Sequence, residues 1–519
     1  MVELPPFEHT SLDTLATVGD TLRASFLSHK TRPIEFRLVQ LRKLYWALKD
    51  NAELITEACK LDLGKPSFET YLTELSWCMN DIIFMQKNLA RFAADESAPD
   101  ISFSNKFFAP KIRKDPLGTA LIIGAFNFPI QLSLGPLIGA ISAGCTAVLK
   151  PSEASPHAAA VMQKIVAESL DPSCYTVLQG AVPETSALLD QKWDKIFYTG
   201  SANVGTIIAK KAAETLTPVT LELGGRNPAI ITKHADPRLA ARRLLWAKTL
   251  NAGQVCVSQN FTLIDKEMVD PFLREMKICL SEFYPEGARK SPDYARIVNA
   301  RQFQRVKKML DETSGNIVLG GTMDEADLFI EPTVVQVTDL NDSLIKDESF
   351  GPLLPIIAVD DLDEAIKIAN QVHDTPLGLY PFGNKAEVDK VIAQTRSGGV
   401  SINDGYFHAS IPTLAFGGVG TSGSGAYRGK ASFEVFSHRR SVTSTPAWIE
   451  SMLDARYPPY TLKKGNQLKK MQELTPDFDR QGRSIGWGGW LMGLLGVKSL
   501  AVAVVAIGIR LYLQRRSRL

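Results

Sequence analysis

The sequence has few cysteines and histidines, and it lacks the spacings by which these residues build metal sites or disulfide frameworks. Its six cysteines are spread singly, without any Cys-x-x-Cys pair, and the seven histidines do not cluster with them. Isolated cysteines are typical of free thiols in a reducing compartment. We therefore expect neither a disulfide framework nor a bound metal ion.

A surplus of either charge is also missing. The 58 lysines and arginines are nearly balanced by 56 aspartates and glutamates, which leaves a formal net charge of +2. Because phosphate binding requires a concentrated basic surface, we expect no nucleic acid as a partner. The first residues carry neither the basic nor the apolar stretch of a secretory signal peptide, so no secretory leader is expected.

What is present in the first half is an alternation of strands and helices. An amphipathic helix is predicted over residues 35–58, and helical segments rich in Ala, Leu and Ile separate most of the apolar strands that follow. The five predicted strands begin at Thr119, Ala147, Tyr175, Lys195 and Val219. Such strands predict an α/β fold with a parallel, doubly wound sheet, in which ligands bind at the carboxyl ends of the strands.

Three features could carry chemistry, and each is ambiguous by itself. Cys256 follows a glycine at a predicted turn and is either a nucleophile or a structural thiol. The run Gly200-Ser-Ala-Asn-Val-Gly205 lies between a predicted strand and a helix, as in nucleotide phosphate sites, although such runs are common. Glu222 ends a predicted strand before two glycines and is either a base or a solvated turn residue.

Eight segments together are more specific, and over about residues 35–445 the chain resembles the aldehyde dehydrogenases. The resemblance is greatest to the class 3 branch, which includes the fatty aldehyde dehydrogenases. The segments, in family order, are Asn127-Phe-Pro, Lys150-Pro-Ser-Glu153, Phe197-Tyr-Thr-Gly-Ser201, Glu222-Leu-Gly-Gly, Asn251-Ala-Gly-Gln-Val-Cys256, Glu348-Ser-Phe-Gly-Pro352, Asn403-Asp, and Phe416-Gly-Gly-Val-Gly through Ser437-His-Arg-Arg.

The resemblance implies a catalytic role for three residues. The thiolate of Cys256 would attack an aldehyde, and the resulting oxyanion would be held by the side-chain amide of Asn127 and the backbone N–H of Cys256. Glu222 would then activate the water that hydrolyses the thioester. His408 is expected to be a surface or substrate-entrance residue rather than a further acid.

The resemblance also implies a nicotinamide cofactor, NAD with NADP possible. Lys150 and Glu153 would bind the adenosine ribose, where a carboxylate repels the 2′-phosphate of NADP. The pyrophosphate and the nicotinamide ribose would be bound by the remaining predicted cofactor residues, which are Gly200, Ser201, Gly205, Glu348 and Phe350.

The resemblance further implies how the chain is divided. An NAD-binding domain is expected over residues 1–223, with part of an oligomerisation arm near 98–117. A catalytic domain is expected over 224–412, and an oligomerisation segment over 413–446. The family arrangement would be a homodimer, with the segment near 417–441 crossing to the partner.

The C-terminal region has a different composition. Residues 447–484 are polar and are predicted to be a linker, whereas 485–513 are almost entirely apolar or glycine. Because about 20 apolar residues cross a bilayer, 485–513 is predicted to be a membrane anchor. Lys498 interrupts it, so a spanning helix and a shallow interfacial insertion both remain open.

An anchored enzyme with its catalytic domain in the cytosol would meet lipophilic substrates, and we expect long-chain fatty aldehydes. The expected site of attachment is a bilayer, either the mitochondrial outer membrane or the endoplasmic reticulum, or the surface of a lipid droplet. The basic end of the chain favours the mitochondrial outer membrane. Two other functions stay open, a cysteine-dependent esterase or acyl-transfer enzyme and a non-catalytic membrane scaffold of the same fold.

Overall fold

The computed structural model describes residues 3–474 and 476–486 of the 519-residue chain. The chain divides into two compact units, one formed by Met1–Asp95 with Arg113–Arg440 and the other by Glu96–Ile112 with Ser441–Leu519. Both main sheets lie in the first unit. The compact units therefore do not coincide with the domain boundary proposed at residue 223, which stays a prediction.

Helices of the first unit surround its two sheets. Their bounds are Leu12–Leu27, Ile34–Asp50, Ala52–Leu63, Ser67–Thr70, Ser76–Ala93, Gln131–Ala143, Pro156–Ser169, Val182–Leu189, Ala202–Ala213, Pro237–Thr249, Val269–Phe283, Ala300–Asp311, Ser343–Lys346, Leu362–Val372, Lys385–Gln394, Phe407–Ser410 and Lys430–Glu434. A π-helical turn, Tyr71–Leu75, connects two of them, and short 3₁₀ turns cover Leu250–Gly253, Lys266–Met268, Ala288–Lys290 and Gly420–Ser422.

The helix predicted over residues 35–58 is two helices that meet at Asn51. The Asn51 side-chain Nδ2 donates to the carbonyl of Ala47 at 2.8 Å, and the Asn51 backbone N–H donates to the same oxygen. Asparagine side chains compete in this way with the regular helical hydrogen bonds. A second helix therefore begins at Ala52.

The first sheet confirms the five predicted strands. Five of its six strands are parallel, and the short sixth pairs antiparallel with Val219–Leu223. Across the sheet the order is Gly423–Ser424, Val219–Leu223, Lys195–Gly200, Thr119–Ile123, Thr146–Lys150, Tyr175–Val177.

Both faces of this sheet are buried. In the strand Thr119–Ile123, Ala120 and Ile122 face one apolar core, and Leu121 and Ile123 face another. Because successive side chains of a strand point to opposite faces, a strand between two cores must be apolar throughout. The predicted doubly wound α/β fold is confirmed.

A second sheet of seven strands is formed by the later part of the chain. Its order is Asn316–Leu319, Thr333–Gln336, Leu353–Val359, Gln259–Asp265, Asn227–Ile231, Gly378–Phe382, Gly399–Val400. All neighbours are parallel except the first pair. A small antiparallel pair, Met323–Asp324 with Phe329–Ile330, lies apart from it.

The second unit is built from short elements. The strand Glu96–Ser97 pairs antiparallel with Lys111 and Ile112, the start of the strand Lys111–Pro116. A 3₁₀ helix spans Phe103–Phe108, and the ring of Phe107 meets Trp448 edge-on at 5.7 Å. The strand Ser437–Val442 leads into this unit.

The proposed linker over 447–484 is not without structure. It contains a 3₁₀ helix, Ala447–Arg456, and an α-helix, Leu462–Gln472. In the described part of the chain, no helix has both the length and the apolar character needed to cross a membrane. The predicted anchor over 485–513 lies outside the described residues except for Ile485 and Gly486.

Candidate active site

Strand ends from both sheets contribute to one large cavity of about 1110 Å³. The first sheet supplies Lys150 and Gly200 from the carboxyl ends of strands, as expected for a doubly wound sheet. Residues that precede strands of the second sheet complete the wall, among them Cys256 and Phe350. The cavity thus brings together segments that are far apart in the sequence.

Nine of the ten predicted site residues line this cavity. They are Asn127, Lys150, Glu153, Gly200, Ser201, Glu222, Cys256, Glu348 and Phe350. The exception is Gly205, which lies in the helix Ala202–Ala213, where a Cβ would come within 2.8 Å of a methyl group of Leu223. The missing side chain of Gly205 lets the helix approach the sheet, and its cofactor contact stays a prediction.

Cys256 follows a turn with an unusual backbone. Asn251 and Ala252 have φ angles of 51° and 52°, in the left-handed region that non-glycine residues rarely adopt, and Gly253 has a φ of 74°. The backbone N–H of Asn251 donates to Oε2 of the buried Glu69 at 2.9 Å. All six cysteines lie in the described part of the chain, and Cys256 is the only one of them that is not fully buried.

The thiol of Cys256 lies in an environment that disfavours its ionised form. Burial, followed by the charges of Glu348 and Glu222, raises the pKa of Cys256 to about 12. Hydrogen bonds from the backbone N–H groups of Val257 and Cys256 itself offset part of this. Because the thiolate is the reactive form, the sulphur must lose its proton as it reacts.

The side-chain amide of Asn127 is buried and firmly held. Its Nδ2 donates to the carbonyl of Gln254, two residues before Cys256, at 3.0 Å. A primary amide has two N–H groups, so the second can donate to an oxygen atom in the cavity. This arrangement places the predicted oxyanion donor beside the segment that carries the sulphur.

Glu222 lies in the strand Val219–Leu223, and its side chain is almost completely buried. Both of its carboxyl oxygens are buried without a hydrogen-bond partner. Burial raises the pKa of Glu222 well above its usual range. A buried and unpaired carboxylate that lines a cavity is a strong base once it is ionised, as water activation requires.

The predicted ribose-binding pair is preformed. Lys150 Nζ lies 2.9 Å from Oε2 of Glu153. Burial opposes ionisation of Glu153, but the hydrogen bond and charge of Lys150 outweigh it and lower the pKa of this carboxyl. Ser201 forms the N-cap of the helix Ala202–Ala213, so the positive end of that helix lies at the cavity wall and suits a pyrophosphate.

The segment of Glu348 and Phe350 completes the wall. Burial raises the pKa of Glu348 to about 7. The ring of Phe350 packs edge-on against Phe126 at 5.7 Å, and both rings line the cavity. One cavity wall that contains aromatic rings, a paired lysine and carboxylate, and a helix N-terminus fits a dinucleotide with an adenosine and a nicotinamide end.

Arg305 is a site residue that the sequence did not indicate. Its guanidinium donates to the carbonyls of Glu348 and Ser349 at 3.1 and 2.6 Å, and it lines the cavity. It thus fixes the backbone of the Glu348 segment. An arginine within a helix of ordinary charge pattern, Ala300–Asp311, has no local sequence signal for this contact.

A second and much smaller cavity, of about 40 Å³, also has Cys256 in its wall. Its walls are mostly aliphatic and aromatic, and Cys256 and Leu132 line both cavities. The other residues that line it are Thr73, Trp77, Phe128, Gln131, Leu250, Val255, Val257, Tyr406, Ala409, Phe416 and Tyr427. No charged side chain is among these described residues.

His408 is only partly buried, and its expected place at the surface or the substrate entrance stays a prediction. Its imidazole stacks on Phe416 and lies near Tyr380, with ring centroids 6.3 Å away in both cases, and Nδ1 shares a hydrogen with Ser401 Oγ at 2.8 Å. Burial lowers the pKa of His408 to about 4. The ring is therefore neutral, and it packs against Phe416, which lines the smaller cavity.

Similarity to known proteins agrees with this geometry. The profile described as the Aldehyde dehydrogenase family matches residues 13–442. The chain belongs to the aldehyde dehydrogenase family. It is 52% identical over 497 residues to a beta-apo-4'-carotenal oxygenase of Neurospora crassa, covering 96% of this chain and 93% of that protein.

Other relatives and a solved structure extend the similarity. The chain is 42% identical over 453 residues to the dimeric NADP-preferring aldehyde dehydrogenase of Mus musculus, covering 87% of this chain and 99% of the mouse protein. Family 3 members B1 and B2 match at 40 or 41% identity, which confirms the class 3 resemblance. Staphylococcus aureus AldH in a substrate-bound state superposes with a TM-score of 0.85 at 37% identity, over 89% of this chain and 99% of that one.

The protein is thus an aldehyde dehydrogenase enzyme, and members of this family use NAD or NADP. The predicted fold and family are confirmed.

Proposed function

We propose that this aldehyde dehydrogenase oxidises long-chain lipophilic aldehydes, fatty aldehydes above all, to carboxylic acids with NAD as the preferred cofactor. The observation that carries the proposal is the position of Cys256 in the walls of two cavities, of which only the larger has charged side chains in its wall. The larger cavity, with lysine, arginine and carboxylate side chains beside apolar ones, suits a dinucleotide, and the small uncharged cavity suits the first carbons of a hydrocarbon chain.

The small apolar cavity favours uncharged substrates because its wall has no charged side chain. Without a charged side chain among its lining residues, it offers no partner for a carboxylate, an ammonium group or a phosphate on the substrate. Burying such a group unpaired costs several kcal/mol, whereas each buried CH₂ contributes roughly 0.8 kcal/mol. Small polar semialdehydes are therefore disfavoured and aliphatic aldehydes are favoured.

A long chain would extend beyond the enclosed space. Two sequence neighbours of the lining residues Thr73 and Tyr406 are exposed apolar side chains, Leu72 at 39% and Phe407 at 56% exposure. These side chains offer a surface for the carbons that the small cavity does not enclose. We infer that affinity rises with chain length beyond the first few carbons.

The first chemical step forms a bond between Cys256 Sγ and the carbonyl carbon. The thiol proton passes to a water molecule as the bond forms, and the negative charge moves to the carbonyl oxygen. The free N–H of the Asn127 amide and the backbone N–H of Cys256 would stabilise that oxygen, and donors of this kind contribute roughly 3–4 kcal/mol each. The product is a thiohemiacetal on Cys256.

Bound NAD supplies the acceptor for the hydride that leaves the carbonyl carbon. What remains on Cys256 is a thioester. Water adds to it while Glu222 takes one of the water protons, and the carbon–sulphur bond breaks to release the acid and the thiolate. The two unpaired oxygens of Glu222 are suited to this proton transfer.

The preference for NAD over NADP rests on Glu153. Its carboxylate is held by Lys150 at 2.9 Å, at the position expected for the adenosine ribose. A fixed negative charge there repels a 2′-phosphate. The mouse relative is named NADP-preferring, so the cofactor ratio of this chain has to be measured directly.

The names of relatives support the substrate class. The Neurospora crassa protein and a second relative at 50% identity, from Gibberella fujikuroi, are named for a carotenal, which is a lipophilic aldehyde. A polyene aldehyde and a fatty aldehyde both have a long apolar chain. The small cavity would bind the part of that chain next to the aldehyde group. Both classes are therefore tested below.

The apolar residues 485–513 would hold the enzyme at the lipid surface where such aldehydes dissolve, with the catalytic domain in the cytosol. We propose the mitochondrial outer membrane as the site, with the endoplasmic reticulum and lipid droplets as alternatives. We also propose a homodimer, the state that the name of the mouse relative gives for that protein. Fluorescent tagging of residues 447–519 and light scattering of the detergent-solubilised enzyme test these two points.

The decisive experiment measures kcat/KM for NAD-linked oxidation of propanal, octanal, hexadecanal, an apocarotenal and succinic semialdehyde by the full chain in detergent. We expect kcat/KM to rise with chain length and to be lowest for the charged semialdehyde. A preference for short or charged aldehydes would refute the substrate proposal. Ester turnover without reduced cofactor would instead favour an acyl-transfer enzyme.

A further inference from the structure

Lys65 and Glu74 form an ion pair that is completely buried. Lys65 Nζ lies 2.6 Å from Oε1 of Glu74, and both side chains have 0% exposure. Removing two charges from water is expensive, and a buried pair is often no more stabilising than apolar residues of the same volume. Neither residue has a part in the chemistry described above, so stability alone is a weak explanation for the pair.

Both partners of the ion pair hold the backbone around Asn127. Lys65 Nζ donates to the carbonyl oxygen of Asn127 at 2.9 Å. The second oxygen of Glu74, Oε2, accepts from the backbone N–H groups of Ile130 and Gln131 at 3.1 and 2.9 Å. The pair thus spans the turn between the strand Thr119–Ile123 and the helix Gln131–Ala143.

A second set of hydrogen bonds joins this turn to the segment of the nucleophile. Asn251 Nδ2 donates to the same Asn127 carbonyl at 2.8 Å and to the Gln254 carbonyl at 3.1 Å. The Asn127 amide donates to that Gln254 carbonyl. Asn127 is therefore fixed at its backbone and at its side chain, and Lys65 supplies the charged donor on the backbone side.

Lys65 also reaches the wall of the apolar cavity. Its ammonium lies 4.4 Å from the centre of the Phe128 ring, which lines that cavity. A cation at this distance attracts the face of an aromatic ring. The same buried charge is thus in contact with the amide turn and with the substrate side of the site.

We propose that Lys65 and Glu74 are positioning residues that hold the Asn127 amide where the oxyanion forms. The inference rests on the proposed role of Asn127 and deepens it. A misplacement of about 1 Å in a reacting group lowers turnover by roughly a hundredfold. Loss of the pair should therefore lower kcat through Asn127, while the KM for the cofactor stays unchanged.

A double-mutant cycle on kcat tests the proposal, with wild type, K65M, N127A and K65M/N127A compared on whichever aldehyde the wild type oxidises fastest. We expect K65M alone to lose roughly 10- to 100-fold in kcat. In the N127A background, K65M should cost less than about twofold, because the group that it positions is already gone. Equal losses in both backgrounds, or no loss in K65M, would overturn the proposal.

A second variant keeps the test valid if K65M does not fold. E74Q has the shape of glutamate and keeps an acceptor for Ile130 and Gln131, but it removes the charge that pairs with Lys65. We expect a loss of kcat together with faster hydrogen exchange at the amides of residues 130 and 131. Unchanged exchange and unchanged kcat would count against the proposal.

Asp81→Asn is the matched control, because Asp81 pairs with the buried Arg428 at 3.0 Å and its hydrogen bond goes to that arginine rather than to the Asn127 turn. Its effect on kcat, whatever its size, should be the same with and without Asn127. Failure of the substrate proposal would be detected in the chain-length series of the wild type, which does not depend on this mutant cycle.

Discussion

Oε2 of Glu69 accepts a hydrogen bond of 2.9 Å from the backbone N–H of Asn251, a residue 182 positions later in the chain. The bond holds the first residue of the left-handed turn that precedes Cys256. Burial raises the pKa of Glu69 to about 7, against an ordinary value of 4.5. The turn that precedes the nucleophile is therefore held by a carboxyl group whose pKa lies near neutral pH.

Glu69 should make stability depend on pH. Because its folded pKa is raised, the folded state holds a proton that the unfolded state has lost between pH 4.5 and 7. Its contribution is full below pH 4.5 and is lost as the pH rises through 7. We expect Glu69→Gln to gain up to about 3 kcal/mol of stability relative to wild type between pH 5 and 8, measured by urea unfolding. A constant difference between the two proteins across that range would contradict this.

The rate of oxidation should increase with pH. With a pKa of about 12 for Cys256, each increase of one pH unit raises the thiolate fraction roughly tenfold as long as the pH stays below that value. We expect kcat/KM to rise between pH 7 and 10 until another step becomes limiting. Single-turnover formation of reduced cofactor at several pH values measures it, with Cys256→Ala as the inactive control. A flat profile would mean that the sulphur is ionised before the aldehyde binds.

Glu222→Gln separates the two halves of the reaction. The substitution keeps the shape of the side chain and removes its basicity, so thioester hydrolysis should slow by roughly 10²- to 10⁴-fold. The first turnover should survive, which gives a burst of reduced cofactor equal to the enzyme concentration. Stopped-flow absorbance detects it. Loss of the burst would place Glu222 in the first half of the reaction instead.

Glu153 should control the choice of cofactor. We expect Glu153→Ala to raise the ratio of kcat/KM for NADP over NAD by at least about tenfold, which corresponds to roughly 1.4 kcal/mol. Steady-state kinetics with both cofactors at fixed aldehyde measures the ratio. Glu168→Ala, at an exposed position away from the cavity, is the control. An unchanged ratio would show that another group discriminates.

Leu72 and Phe407, which are exposed sequence neighbours of two residues that line the small cavity, should matter for long substrates alone. Leu72→Ser with Phe407→Ser should lower kcat/KM for hexadecanal several-fold, because each CH₂ that loses its contact costs up to about 0.8 kcal/mol. The value for propanal should stay the same. Ile278→Ser removes an equally exposed apolar side chain elsewhere and should change neither. Equal losses for both aldehydes would contradict the proposed path of the chain.

The sequence predicted those parts of the structure that depend on local pattern. The strand Thr119–Ile123 was predicted because residues between two cores must be apolar. The large cavity was predicted in outline, since resemblance to a family supplied nine of its lining residues. A hydrogen bond to the carbonyl of Gln254 joins Asn127 there to the segment that carries Cys256.

Features that depend on distant segments could not be predicted. The small cavity needs Trp77, Phe128 and Tyr406, which no window of the sequence contains. The ring contacts of His408 with Tyr380 and Phe416 could not be predicted, because no short stretch of sequence shows which rings meet. The contact between the Lys65–Glu74 ion pair and the Asn127 turn exists only in the folded chain, so no local pattern predicts it.

Because Cys256 belongs to the walls of both cavities, the proposed function gives each reactant its own path to the sulphur. On this proposal neither reactant has to pass the other, so access imposes no compulsory order of arrival. An acid with a long tail would then leave through the smaller cavity while the nucleotide is still in place. Inhibitors can likewise be built toward the same sulphur from either side, one resembling a nucleotide and the other a lipid, and the two should be distinguishable by which reactant they compete with.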